Sequence, residues 1–131
     1  MHIPEELKYT KNHSWVKVEG ENGRVGLTNY AQEQLSDIVT VELPEAGGEV
    51  TSMNPFGSIE SVKATMDLIT PVSGEIIEVN KTLNDQPEQV NEDPYGGGWM
   101  IVVKLKDAGE LDSLMPASDY KTFTETEAEE S

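Results

Sequence analysis

Apolar residues fall in short clusters divided by turn residues, a pattern that predicts β-strands rather than long amphipathic helices. Trp15-Val16-Lys17-Val18 reads as one strand and Arg24-Val25-Gly26-Leu27-Thr28 as its return. Between them Glu19-Gly20-Glu21-Asn22-Gly23 supplies residues that tolerate positive φ. Asn29 stands where it would cap a short helix over residues 30–35, with Gln32 at the reciprocal capping-box position. Ile38-Val39-Thr40-Val41-Glu42-Leu43, β-branched and closed by Pro44, is the strongest strand signal. Residues 56–68 predict two strands meeting near Val62-Lys63-Ala64, although no Asn-Gly or Asp-Gly turn marks the junction. Glu75-Ile76-Ile77-Glu78-Val79 and Trp99-Met100-Ile101-Val102-Val103-Lys104-Leu105 are further strands, and Pro87, Pro94 and Gly96-Gly97-Gly98 punctuate the loop between them.

The pattern changes after Leu105. Leu111, Leu114 and Met115 take helical spacing, Pro116 interrupts, and Tyr120 and Phe123 mark one face of a second helical segment. Residues 1–8 read as an N-terminal extension, and residues 125–131, with four glutamates, as an acidic tail that frays. A faint internal echo links Pro44-Glu45-Ala46-Gly47-Gly48-Glu49-Val50 to Pro71-Val72-Ser73-Gly74-Glu75-Ile76. Each runs from proline through a small-residue turn to glutamate and a branched apolar residue, which suits a β-sandwich with quasi-two-fold symmetry. With 131 residues the expected organisation is a single domain, mainly β, with short helices at its periphery.

Charge narrows the function. Twenty-five acids against nine bases leave a net charge of -16, which repels phosphate, so nucleic acid and anionic membrane are poor partners. Cysteine is absent, which removes disulfides, thiolate metal sites and cysteine nucleophiles, and is compatible with a reducing compartment. No apolar run approaches a membrane span, and Met-His-Ile-Pro-Glu-Glu has none of the features of a signal or transit peptide, so an intracellular location is expected. Metal binding is not expected: His2 and His13 are the only histidines, His13 reads as packed or hydrogen-bonded, and Asn91-Glu92-Asp93 reads as a solvated turn rather than a calcium loop. There is no G-x-S-x-G elbow and no nucleotide fingerprint, and no carboxylate pair stands out, so no catalytic residue is assigned.

Lys63 stands apart. It is the only basic residue between Arg24 and Lys81, an interval carrying nine acids, and it falls at the expected tip of a hairpin between Val62 and Ala64. A protruding tip gives a modifying enzyme access to a side chain without unfolding anything. A Schiff-base role would need burial or a cationic neighbour, and Glu60 and Asp67 supply the opposite. An attachment point suits the surroundings better than a nucleophile.

Glu60-Ser61-Val62-Lys63-Ala64 resembles the lipoyl-lysine segment of the glycine cleavage H-protein family. The likeness continues in order through His13-Ser14-Trp15-Val16, Gly26-Leu27-Thr28-Asn29-Tyr30-Ala31-Gln32, Asp37-Ile38-Val39, Val41-Glu42-Leu43-Pro44, Asn91-Glu92-Asp93-Pro94-Tyr95 and Gly98-Trp99. Gly74 stands eleven residues after Lys63, where lipoyl and biotinyl domains carry a turn glycine. The resemblance implies a hammerhead-like lipoyl/biotinyl-type β-sandwich (a barrel-sandwich hybrid) with a C-terminal helix, and lipoate joined by an amide to Lys63. It implies a carrier rather than an enzyme. Glycine decarboxylase would load an aminomethyl group, aminomethyltransferase would pass its carbon to tetrahydrofolate, and dihydrolipoamide dehydrogenase would reoxidise the dithiol. A lipoate ligase or a lipoyl/octanoyl transferase would attach the arm. Glu60, Val62, Ala64 and Gly74 are the expected recognition residues around the attachment; Ser14 and Asn12 lie in the region that in the family helps hold the loaded arm, and Asp67 is placed to face the arm's amine.

Two positions depart from the family pattern: Ser14, where glutamate is frequent, and Ser36, where glycine is usual. They leave open a lipoyl relay serving 2-oxoacid dehydrogenase complexes. A biotin acceptor fits less well, because Val62 and Ala64 stand where such domains place methionines. An unmodified acidic interaction module is the alternative of a different class. The expected compartment is the cytoplasm of a bacterium, or the mitochondrial matrix for a eukaryotic chain.

Overall fold

The computed structural model describes residues 3–130, so His2 and the outermost residues of the expected extension and tail lie outside it. Among the described residues nine strands form two antiparallel sheets. They are β1 (Lys8–Tyr9), β2 (Ser14–Glu19), β3 (Asn22–Leu27), β4 (Ile38–Glu42), β5 (Glu49–Val50), β6 (Pro55–Ser61), β7 (Thr65–Ile69), β8 (Gly74–Val79) and β9 (Ile101–Leu105). The larger sheet has the order β1-β2-β3-β9-β8-β5 and the smaller β4-β6-β7. Helix α1 (Asn29–Leu35) links β3 to β4, α2 (Thr82–Asp85) and α3 (Gln89–Glu92) lie between β8 and β9, and α4 (Ala117–Glu130) follows a 3-10 segment, Ala108–Ser113.

The two sheets close on one core. Val16, Val25, Ile76, Ile101 and Val103 come from the larger sheet, Ile38, Val41, Phe56, Ile59 and Leu68 from the smaller, with Leu35, Leu83 and Val90 added by the helices. Each such side chain taken fully from water contributes about 1.5–3 kcal/mol. The first half of strand β2, Ser14 to Val16, is buried on both faces, because successive residues point to opposite sides of a sheet. Val16 faces the core, while Trp15 joins Leu7, Tyr9 and Tyr120 in a second cluster against α4. Gly26, opposite Trp15 in the register, has no Cβ in the place the indole occupies.

The sandwich with peripheral and C-terminal helices is the architecture anticipated above, but several details differ. Thr28 caps α1, its hydroxyl accepting from the Ala31 amide, while Asn29 begins the helix and takes a bond from Gln32 instead. The expected N-terminal extension is docked: Leu7 is buried, Lys8 and Tyr9 pair with β2, and the Tyr9 hydroxyl donates to the Pro4 carbonyl. Burial of Tyr9 drives its phenol far above the ordinary range, with Tyr95, Glu6 and Tyr120 adding to the effect. Helix α4 continues to Glu130 through the stretch expected to fray. The loop punctuated by Pro87 contains α3, and Asn91 within it is no solvated turn, as described below. The two echoing segments turn out to be strand partners: Glu49 pairs with Glu75 and Val50 with Gly74.

Gly74 has a φ of 153°, and a Cβ there would collide with the Lys104 carbonyl oxygen. Gly74→Ala therefore combines a backbone penalty with overpacking. An expected loss on the order of 3 kcal/mol would appear as a lowered denaturation midpoint in urea. A midpoint unchanged from the parent would mean the β8 start is not held in this conformation.

Candidate functional site

The hairpin of β6 and β7 presents Lys63 at its end. Ser61 and Ala64 face each other, with the Ser61 amide donating to the Ala64 carbonyl at 2.8 Å. Ser61 is buried, and its hydroxyl oxygen accepts from the amides of both Lys63 and Ala64, each at 3.1 Å. The remaining amide of the turn, that of Val62, donates to the Asp37 carbonyl at 3.0 Å. All four successive main-chain donors are thus satisfied, which fixes the turn although it sits in water. The Ser61 hydroxyl closes the turn from its side chain, and none of residues 61–64 takes a positive φ, so no Asn-Gly pair is needed. Above this fixed base Lys63 is exposed, and its amine makes no hydrogen bond or ion pair to a described residue.

The strand segment that supports the tip is clamped from behind. Asn91 donates to the Ser36 carbonyl at 2.8 Å and to the Gln32 side chain at 2.9 Å, and accepts from the Ile38 amide at 3.0 Å. Asp37, whose carbonyl holds Val62, therefore lies between two residues gripped by one asparagine. Ser36 closes α1 with φ 65° and ψ −145°, a conformation natural to glycine. Ser36→Gly is expected to raise stability by about 1 kcal/mol, relieved strain outweighing the added freedom of the unfolded chain. Thermal melting checks this, and a lower transition would show that the serine is not strained.

The other residues singled out in the sequence are dispersed. Glu60 and Asp67 are exposed on the hairpin, Glu60 opposite Thr65 and Asp67 opposite Ser58, so both lie along the outer face that leads from Lys63. Val62 and Ala64 flank the lysine and are exposed. Gly74 belongs to the other sheet, where its part is conformational. Ser14 is buried and shares a 2.8 Å hydrogen bond with the Thr10 hydroxyl, so it offers an arm little surface; Asn12, in the turn before β2, is exposed, its main-chain amide donating to the Thr10 hydroxyl. His13 shares a 2.9 Å hydrogen bond with the Tyr120 hydroxyl and lies against Tyr30 and Phe123, a packed histidine as expected. Among the described residues no group of three or more metal-ligating side chains converges, and no helix is long and apolar enough to cross a membrane. Tyr95, pushed up to about 12 by burial and by Glu33 against the opposing bond from Asn29, braces the start of α1 by accepting the Asn29 amide.

Ser61, Asp37 and Asn91 were not assigned roles from sequence. Ser61 and Asn91 stood within the segments that carried the family resemblance, but their bonds depend on residues brought close only by folding.

The family model for the glycine cleavage H-protein matches residues 7–127. The chain belongs to the glycine cleavage H-protein family. It is 59% identical over 123 residues to a glycine cleavage system H protein of Geobacillus kaustophilus, covering 94% of this chain and 97% of that one. With the Bacillus subtilis glycine cleavage system H protein it shares 52% identity over 125 residues, covering 95% and 98%. The crystal structure of a glycine cleavage system H protein from Mycobacterium marinum superposes with a TM-score of 0.83 at 41% identity, covering 90% of this chain and 95% of that one.

Proposed function

We propose that this single domain carries lipoate as an amide on Lys63 and serves glycine cleavage as its mobile carrier. The observation that supports this reading is an exposed, unengaged amine on a turn whose every main-chain donor is satisfied. Family membership makes the chain a carrier component of the glycine cleavage system rather than one of its enzymes. The residues fit the group: the amine is accessible, and nothing at the tip must rearrange to admit an acyl chain. When attached, lipoate supplies a redox-active disulfide at the end of a long arm.

Nζ of Lys63 is the nucleophile in the attachment. It attacks the carbonyl carbon of an ATP-activated acyl adenylate; the C–N bond forms, the bond to AMP breaks, and the two surplus protons of the ammonium pass to solvent. Ser61 holds the backbone from which Nζ reaches out, and Glu60 and Asp67 keep the outer face of the hairpin acidic. An acidic face attracts a cationic aminomethyl load by long-range electrostatics. Because the chain has no cysteine, no protein thiol competes for the dithiol by exchange.

This reading assigns glycine decarboxylase, aminomethyltransferase and dihydrolipoamide dehydrogenase as partners, a lipoate ligase or lipoyl/octanoyl transferase as the attaching enzyme, and the bacterial cytoplasm as the compartment. The experiment is intact mass and peptide mapping after incubation with lipoate ligase, ATP and lipoate, followed by glycine-dependent carbon dioxide exchange with glycine decarboxylase. One lipoyl-sized increment on Lys63 and measurable exchange are expected. An increment without exchange would favour a lipoyl relay, and no increment an unmodified interaction module.

A further inference from the structure

Beside Glu60 and Val62, already expected to be read around the attachment point, the outer face next to Lys63 carries Val39 and Asp37, which the reading above does not use. Strand β4 pairs with β6 through Ile38 opposite Ser61 and Thr40 opposite Glu60, with a bulge between them that leaves Val39 as the extra residue. A bulge breaks the strict alternation of faces. In consequence Val39 and Thr40 are both exposed in succession, between buried Ile38 and buried Val41. Val39 is 52% exposed, and Val62, held to Asp37 across the same pair of strands, is 66% exposed. The surface around the lysine thus combines two valines with the carboxylates of Asp37 and Glu60, all exposed.

We propose that Val39 and Asp37 extend the expected recognition residues Val62 and Glu60 into a docking surface for the enzyme that acylates Lys63, an enzyme presenting an apolar hollow rimmed by basic side chains. The inference rests on Lys63 being the attachment point. Before attachment, Nζ stands only one lysine side chain from the turn, so the acylating active site has to close over whatever surrounds that turn. Val62 is the neighbouring residue, and the β4 bulge lies one strand away. After attachment the reacting sulfurs lie a full lipoyl chain further out, so an enzyme working on them can engage the arm without covering β4. The same patch therefore matters to one step and not to the next. Its carboxylates are exposed, so their attraction for a basic rim weakens as salt is raised.

The test compares the parent protein with Val39→Lys, Val39→Ser and Val18→Lys, the last altering an exposed valine of the larger sheet. Val39→Lys is expected to lower kcat/KM for acylation by lipoate ligase at least tenfold, Val39→Ser to lower it by less, and Val18→Lys to leave it within twofold. Once fully lipoylated by prolonged incubation, Val39→Lys is expected to be reduced by NADH and dihydrolipoamide dehydrogenase within twofold of the parent. A smaller loss of acylation for Val39→Lys, an equal loss for Val18→Lys, or a parallel loss in the reduction assay overturns the proposal. Failure of the parent itself to be acylated at Lys63 would instead overturn the carrier reading, and this inference with it.

Discussion

Lys63→Arg is expected to take up no lipoate at all while keeping the fold intact. The guanidinium holds its proton throughout the accessible pH range and has no lone pair to offer an acyl carbon. Conservation of charge therefore does not rescue the chemistry. The side chain is exposed and contacts no described partner, and the turn is held by the Ser61 hydroxyl and the Asp37 carbonyl, which the substitution leaves alone. Surface changes of this kind cost under about 0.5 kcal/mol, so the thermal transition should stay within about 2 °C. Intact mass after ligase treatment gives the answer: a persisting increment would place attachment on another lysine, and a collapsed transition would mean the tip is not the independent projection described above.

Trp15→Ala has the largest expected effect on stability. The indole is fully buried between the larger sheet and α4, and its N–H is shared by the Leu27 carbonyl at 3.0 Å and the Pro94 carbonyl at 3.1 Å. Truncation leaves a cavity over Gly26 and strips a donor from two buried acceptors. Such losses in a core amount to about 3–5 kcal/mol, and the missing hydrogen bonds add to them. Thermal or urea denaturation should show a transition lowered by roughly 10 °C or more. A near-neutral result would mean that the second cluster repacks without the indole, and would call into question the docking of α4 on the sheet.

The strands that β-branched runs announce are the ones the sequence makes legible. Ile38-Val39-Thr40-Val41 and Ile101-Val102-Val103 need only local pattern, and the hairpin about Lys63 is visible as two apolar runs with a break between them. Strands β1 and β5, two residues each, are too short to carry a period, and they exist because longer neighbours offer them an edge. The cap of α1 was displaced by one residue because Thr28 and Asn29 are both competent caps, and the Tyr120 hydroxyl, 92 residues away, shares a hydrogen bond with Thr28. Asn91 looked like part of a polar turn for a similar reason: its partners Gln32, Ser36 and Ile38 lie 53–59 residues earlier, beyond any local signal. Ser14 stood in a quoted motif, yet nothing in the motif tells that its side chain turns inward to Thr10. The exposed place of Lys63 at the hairpin tip is legible because its isolation among acids is a property of the chain itself, whereas the scaffold that immobilises its base is a property of the fold.

That immobilised base defines a geometry for everything downstream. With the amides of Val62, Lys63 and Ala64 each committed, the pivot of the arm is a fixed point on the molecule rather than a wandering one. The territory swept by the distal end is then a cap of a sphere about that pivot, bounded on the protein side by β4 and β7. On the carrier reading, any catalytic centre that is to meet the cargo has its mouth within that radius. A fixed pivot then makes the reach of the arm, rather than drift of its base, the quantity that decides which centres it can enter.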